Sequence, residues 1–437
     1  MAPSKLEAQS SKLKRTDLLA RYGALIAFAA AIPAIVYLAM QPGPADRFRP
    51  LFIAERPGAA ALRSREGPAG PAGAVAESDH VPTPEFVKGI YVSADTAASA
   101  RRFSELVSFV DRTELNAMVI DLKDGRGALA FAPQTDSLKS FSAERPGLGS
   151  LPDFVRPLHD KGIYLIARVF VFQDPWLVAK KPGYAVQRKG GGVWRDRRGT
   201  PWVDPAERDV WKYDAAIARE AYASGFDEVQ FDYIRFVSDG DLRAVAYPAY
   251  DGKTPKAEVI AAFFSYLDTE LRAKHGIPIS ADLFGLVMDQ HETDLGIGQR
   301  LEPAARHFDF VSPMVYPSHY AKGYQGFANP AAHPYDVARH SLVAGWPVLE
   351  KLEAEDAALK EKNPGLSLRV ATIRPWLQDF DLGAHYTAEM VKDQMKAAVE
   401  AKASGWLFWN AKNVYTASAY APEPEDAGAS IEKNGTE

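Results

Sequence analysis

The feature that most limits how this chain can fold is an alternation. From about residue 86, short runs rich in β-branched and aromatic residues are separated by longer amphipathic stretches. The runs are 88–94 (KGIYVSA), 117–123 (AMVIDLK), 163–172 (IYLIARVFVF), 228–236 (EVQFDYIRF), 279–285 (ISADLFG), 308–316 (FDFVSPMVY), 369–376 (RVATIRPW) and 405–410 (GWLFWN). Their shortness and composition read as strands buried in a parallel sheet. Helices are expected over 99–113, 152–161, 207–224, 256–274 and 387–403, with one or two over 334–361 and only a weak one after the fifth strand. Asp204 and Pro205 suit the cap and first residue of the third helix. Asn116, Gly162, Gly225, Gly276 and Gly405 suit left-handed stops before the following strands. Eight strand–helix units are the count of a (β/α)8 TIM barrel, expected over 86–420. An open doubly wound sheet also alternates, but no glycine-rich phosphate loop follows the first strand.

The flanks read differently. Residues 22–40 (YGALIAFAAAIPAIVYLAM) carry no charge and follow Lys5, Lys12, Lys14, Arg15 and Arg21. Nineteen helical residues come close to the ~30 Å hydrocarbon core of a bilayer. The basic flank places residues 1–21 in the cytoplasm and the bulk of the chain outside. This reads as a transmembrane signal anchor, with a cleaved signal peptide as the alternative. Residues 41–85 are rich in Pro, Gly and Ala and read as a linker; 421–437 read as a disordered tail. With 47% hydrophobic and 24% charged residues the rest is globular. A net charge of −5 and no Lys/Arg-rich face leave no nucleic-acid footprint. The absence of cysteine removes disulfides, zinc-thiolate sites and cysteine nucleophiles.

Strand parity then points to a site. In a barrel, alternate side chains face the interior. On 228–236, Val229, Phe231 and Tyr233 would face the helices, and Gln230, Asp232 and Ile234 the interior. Asp232 falls toward the strand's C-terminal end, where barrel active sites form. Asp121 and Lys123 share a face of the second strand, as Arg168 does with Ile166 and Phe170 on the third. Asp282 opposes Ala281 and Leu283 on the fifth, while Arg374 and Asn410 close the seventh and eighth. Asp121 and Arg168 could equally form a salt bridge between neighbouring strands.

Two carboxylates from different strand ends can flank a glycosidic bond, one ionised as nucleophile or base and one protonated as acid. Arg168 and Arg374 would keep Asp232 ionised, and the apolar setting of Asp282 beside Phe284 would raise its pKa. Arg235 would flank the pair. Trp176, Trp194, Trp202, Tyr316, Trp376 and Trp409 offer stacking surface for sugars, and His319 follows the sixth strand. Residues 173–206, containing KGGGVWRDRRGTPW, look like a hairpin over the mouth. Among nine histidines there is no His-x-His or His-Glu-x-x-His spacing, so no metal or other cofactor is expected. A divalent ion on Asp121 and Asp124 is the variant of that reading.

These segments carry a resemblance. GIYVSA, LNAMVIDLKD, IYLIARVFVFQDP, VWRDRRGTPWVDP, GFDEVQFDYIRF, SADLFG, SPMVYPSHY, IRPWLQDF and GWLFWN are similar, in order, to the motifs of a family of extracytoplasmic glycoside hydrolases. Val237 stands where that family usually has Pro. The resemblance covers roughly 86–420. It implies a TIM barrel acting on a polysaccharide, with Asp232 and Asp282 in the positions of the family's strand-four and strand-five aspartates. Asp121, Lys123, Arg168, Arg235, Tyr316, His319, Arg374, Trp376, Trp409 and Asn410 are the candidate substrate contacts. A glycan-binding barrel without hydrolysis is the competing expectation.

Overall fold

The computed structural model describes residues 80–142, 147–365 and 368–422. The expected anchor at 22–40, residues 1–21, most of the linker and the tail beyond 422 lie outside them. Among the described residues no helix is long and apolar enough to cross a membrane.

The alternation folds as a closed parallel barrel. Its staves are β1 (Val87–Val92), β2 (Ala117–Lys123), β3 (Tyr164–Phe170), β4 (Glu228–Asp232), β5 (Ile279–Phe284), β6 (Phe310–Met314), a seventh stave in two halves, β7 (Thr372–Ile373) and β8 (Trp376–Gln378), and β9 (Gly405–Trp409). Neighbours in sequence are neighbours in the sheet. The ring closes through β9 beside β1 and through Trp376 of β8 opposite Met314 of β6. Arg374-Pro375 divides the seventh stave, because proline has no N–H for the ladder.

The helices α1 (Ala100–Val110), α2 (Leu151–His159), α3 (Arg208–Ala223), α4 (Lys256–Leu267), α5 (Leu301–His307), α6 (Pro334–Ala344), α7 (Trp346–Lys362) and α8 (Ala388–Glu400) wrap it. On α3, Val210, Trp211, Ala215, Ile217, Ala218 and Ala221 form one buried face at helical spacing. It packs with outward residues such as Ile120, Leu122, Val229 and Phe231. Each large side chain so buried contributes roughly 1.5–3 kcal/mol. A second, smaller cluster fills the barrel itself: Val87, Tyr91, Ala117, Val119, Tyr164, Ile166, Tyr316, Trp376 and Leu407.

Three local expectations are corrected. Glu207 caps α3 by accepting from the Asp209 amide at 3.1 Å. Asp204 is instead buried in the loop, accepting from the amides of Ala206, Ala249 and Tyr250 at 2.9, 2.7 and 3.0 Å. Asn116 does not take the left-handed conformation; its side chain accepts from the Lys88 amide at 2.7 Å and donates to the Phe86 carbonyl at 3.0 Å. The strand around 228–236 ends at Asp232, because Tyr233 adopts φ 56°. That reverses the alternation, and Ile234 joins the outer core instead of the interior.

Candidate active site

Residues of three strands converge on one guanidinium. Asp121 and Arg168 are register partners across β2 and β3. Arg168 Nη1 donates to Asp121 at 2.7 Å, Nη2 to Asp232, and Nε to Asp282 at 3.3 Å. Phe231 pairs with Ala281 across β4 and β5, so the following residues, Asp232 and Asp282, stand side by side. Their backbones are about one strand spacing, ~5 Å, apart. Arg168, Asp121, Asp232 and Asp282 are exposed by only 3, 1, 4 and 0%.

Every oxygen in the group has a donor. Tyr91 donates its hydroxyl to Asp121 at 2.5 Å, the Tyr233 amide donates to Asp232 at 2.5 Å, and Trp376 Nε1 donates to Asp282 at 2.7 Å. Three carboxylates around one cation would still leave a net charge of −2, and burying that is costly. Protonation relieves it. Burial, then the charge of Asp232, push Asp282 well above the ordinary carboxylate range against Arg168 and Trp376. Burial pushes Asp121 up to about 6, with Arg168 pulling the other way. Burial alone would lower Arg168, but its three carboxylates raise it.

Aromatic residues surround the cluster. Trp409 stacks on Tyr91 with centroids 3.9 Å apart, and the Arg168 guanidinium lies 4.9 Å from Trp409 and 4.5 Å from Phe170. Phe170 stacks on Tyr233 at 4.3 Å. Tyr316 meets His319 and Phe380 edge-on at 5.1 and 5.9 Å. His319 is buried beside Ser318, and burial pulls its imidazole down to about 3, so it is neutral at physiological pH.

Other expected contacts lie elsewhere. The ladder shifts register between Asp121 and Lys123, and Lys123 leaves the interior. Its ammonium is buried among the helices against Asp174 at 2.9 Å and Asp214 at 2.7 Å. Arg374 does not reach Asp232. It lies at the opposite end of the interior, paired with Glu228 at the start of β4, which also accepts from Tyr164 and Ser280. Asn410 staples a loop by donating to the carbonyls of Asp379 and Val414. Trp194 and Trp202 are buried, their Nε1 atoms donating to the Asp241 carbonyl and Asp196 at 3.0 Å each. Trp176 carries Lys180 on its ring at 4.9 Å. The hairpin forms, through antiparallel bridges Gln187–Val193 and Arg195–Pro201. Asp124 pairs with Arg126 at 2.6 Å and makes the Asp121 carboxyl harder to ionise. Among the described residues no group of three or more His, Asp or Glu is placed to hold a metal ion.

Tyr91 and Tyr233 complete the cluster as donors to Asp121 and Asp232, and neither is among the candidate residues of the sequence. Tyr91 was open to the parity argument, two residues beyond Gly89 on β1. The conformation of Tyr233 has no sequence signal. A cavity of about 400 Å³ lies outside this group, between the 325–327 segment and α6.

A closed parallel barrel with carboxylates gathered toward the C-terminal ends of its strands defines a class, the TIM-type barrel. The chain belongs to the family described as "Putative glycosyl hydrolase domain", whose sequence model matches residues 89–415. No curated protein matches it. Among solved structures, a hypothetical protein from Ruminiclostridium thermocellum ATCC 27405 is 34% identical over 44% of this chain and 96% of that one, with a TM-score of 0.40. The PgaB (BpsB) glycoside hydrolase domain from Bordetella bronchiseptica is 15% identical over 75% of this chain and 94% of that one, with a TM-score of 0.53. The second likeness is one of fold.

Proposed function

We propose that this chain hydrolyses a cell-envelope or extracellular polysaccharide, held outside the cytoplasmic membrane by the apolar segment 22–40. The observation that carries the reading is the side-by-side placement of Asp232 and Asp282 on adjacent strands, with Asp282 biased to hold a proton. In this reading Asp282 gives its proton to the glycosidic oxygen as the bond to the anomeric carbon breaks. Asp232 supplies the electron pair, as nucleophile or as base for the attacking water. Arg168 orients both carboxylates. Tyr316, Trp409 and Phe380 supply apolar surface for a sugar ring.

The test incubates the full chain and its Asp232→Asn variant with peptidoglycan and exopolysaccharide panels and measures new reducing ends. The expected outcome is release by the wild type and a loss of at least about a thousandfold in the variant. Equal rates would remove Asp232 from the chemistry.

One observation favours the glycan-binding alternative. All three carboxylates are spent on Arg168, with 4% exposure or less, as in a structural ion-pair network. That alternative expects retention on a polysaccharide with no reducing ends released.

A further inference from the structure

Arg235 is a buried cation. It is 5% exposed, and among the described residues no carboxylate pairs with it. Its Nη1 is committed to its own loop, donating to the Phe236 carbonyl at 3.1 Å and the Ser238 hydroxyl at 2.9 Å. Among the described residues Nε and Nη2 have no acceptor, yet neither is sealed from solvent. Water can reach both nitrogens, so that half of the fork is open to an incoming acceptor.

The surroundings locate the guanidinium. Ile234 and Phe236 on either side are buried in the outer core, and Trp202 and Phe284 of the same cluster lie under Arg235. Its guanidinium lies over Trp202 at 4.6 Å, Phe284 at 5.1 Å and Tyr233 at 5.6 Å. Phe284 is two residues beyond Asp282, and Tyr233 directly follows Asp232. The cation therefore lies on the Asp232 side of the pair, among three aromatic rings. Burial pulls its pKa down, with nearby acids opposing, which is the signature of an undercompensated charge. A second arginine, Arg198, lies on the turn of the hairpin. Asp196 accepts from the amides of Arg198 and Thr200 at 2.9 Å each, fixing the turn. Arg198 is exposed, has no ion pair among the described residues, and lies within electrostatic reach of Tyr233.

We propose that Arg235 and Arg198 form an anion subsite beside Asp232 and Asp282, and that the glycan bound there carries a carboxylate, as a uronic acid does. A guanidinium fork presents two parallel N–H groups to a planar carboxylate, which an ammonium cannot match. Hydroxyls of a neutral sugar can accept from Nε and Nη2 but neither neutralise the cation nor match its planar fork, and this difference is the source of discrimination. The inference rests on the hydrolase reading for its neighbouring carboxylates, but binding tests it separately.

The experiment measures binding of the full chain to oligomers of glucuronate, galacturonate and mannuronate, each beside its carboxyl-reduced neutral twin. At least one acidic oligomer is expected to bind roughly tenfold or more tighter than its twin. Arg235→Gln should abolish that preference and Arg235→Lys should keep part of it. Arg198→Gln, on an exposed side chain that cannot threaten the fold, should weaken it. No acidic preference in any pair, or a preference that survives Arg235→Gln, overturns the proposal. Reducing ends scored on the same panel separate the two ideas. An Arg235-dependent preference without cleavage keeps the subsite and discards the hydrolase, whereas cleavage of neutral and acidic twins alike does the reverse.

Discussion

Replacing Arg168 by Met removes the cation that three buried carboxylates share, with little change in side-chain volume. In the wild type Nη1, Nη2 and Nε reach Asp121, Asp232 and Asp282. Without them, an interior less than 5% exposed would hold unpaired charges unless it binds at least one additional proton. Protonating an aspartate against its ordinary value near 4 costs about 4 kcal/mol at pH 7 and about 1.5 kcal/mol at pH 5. The first figure falls in the range of about 3–5 kcal/mol expected for breaking a buried ion pair. The sign follows from proton binding. Asp121 and Asp282 are already raised in the folded state, and losing Arg168 raises them further. The folded variant then binds more protons than its unfolded chain, so its stability falls as pH rises from about 4 toward the raised values. Urea unfolding of wild type and variant at pH 5, 6, 7 and 8 reads this directly. The deficit should be about 4 kcal/mol at pH 7 and shrink by about 2–3 kcal/mol at pH 5. A deficit under about 1 kcal/mol at pH 7, or one that does not change with pH, would refute the idea that Arg168 holds the cluster together.

Three further outcomes are expected. Asp214 has one oxygen without a partner, and burial pushes it up to about 7 against Lys123. Its folded pKa exceeds the unfolded value, so it costs stability as pH rises through the window from about 4 to 7. Asp214→Asn should therefore raise Tm at pH 8, by the equivalent of roughly 1–3 kcal/mol, with no gain near pH 4; a gain independent of pH would contradict the cause. Trp376→Phe deletes the Nε1 donor to Asp282 and raises its carboxyl further. If Asp282 is the acid, kcat/KM should fall about tenfold and its alkaline limb should move to higher pH; a limb that stays in place detaches Trp376 from the proton. Gly405 sits at the seam of β1 and β9 with φ +155°, and a Cβ there would lie 2.3 Å from the Val87 carbonyl oxygen. Gly405→Ala should destabilise by about 2–3 kcal/mol in chemical unfolding; a neutral substitution would mean the seam is loose.

Much of the architecture was legible because barrel staves are local. Each strand is a run of β-prone residues, each helix an amphipathic stretch, and neighbours in sequence become neighbours in the ring. Parity on β4 and β5 separated Asp232 and Asp282 from Val229, Phe231, Ala281 and Leu283 without any coordinates. It failed where the backbone departs from regular alternation. The register shift after Asp121 turned Lys123 to the helices, and the left-handed Tyr233 turned Ile234 to the outer core. Such breaks are set by contacts from other strands and leave no local pattern.

The residues alone determined the order of the strands, the parallel barrel and which carboxylates turn away from the outer core, because hydrophobic period and strand spacing act over a few residues at a time. Only the closed tertiary structure decided who pairs with whom. It gave Arg168 three acidic partners, sent Arg374 to Glu228 at the far end, and left Arg235 with no carboxylate partner among the described residues. Ion pairing depends on which side chains meet across strands 50 to 150 residues apart, and at ~4 Å range it is decided by register and stagger rather than by composition.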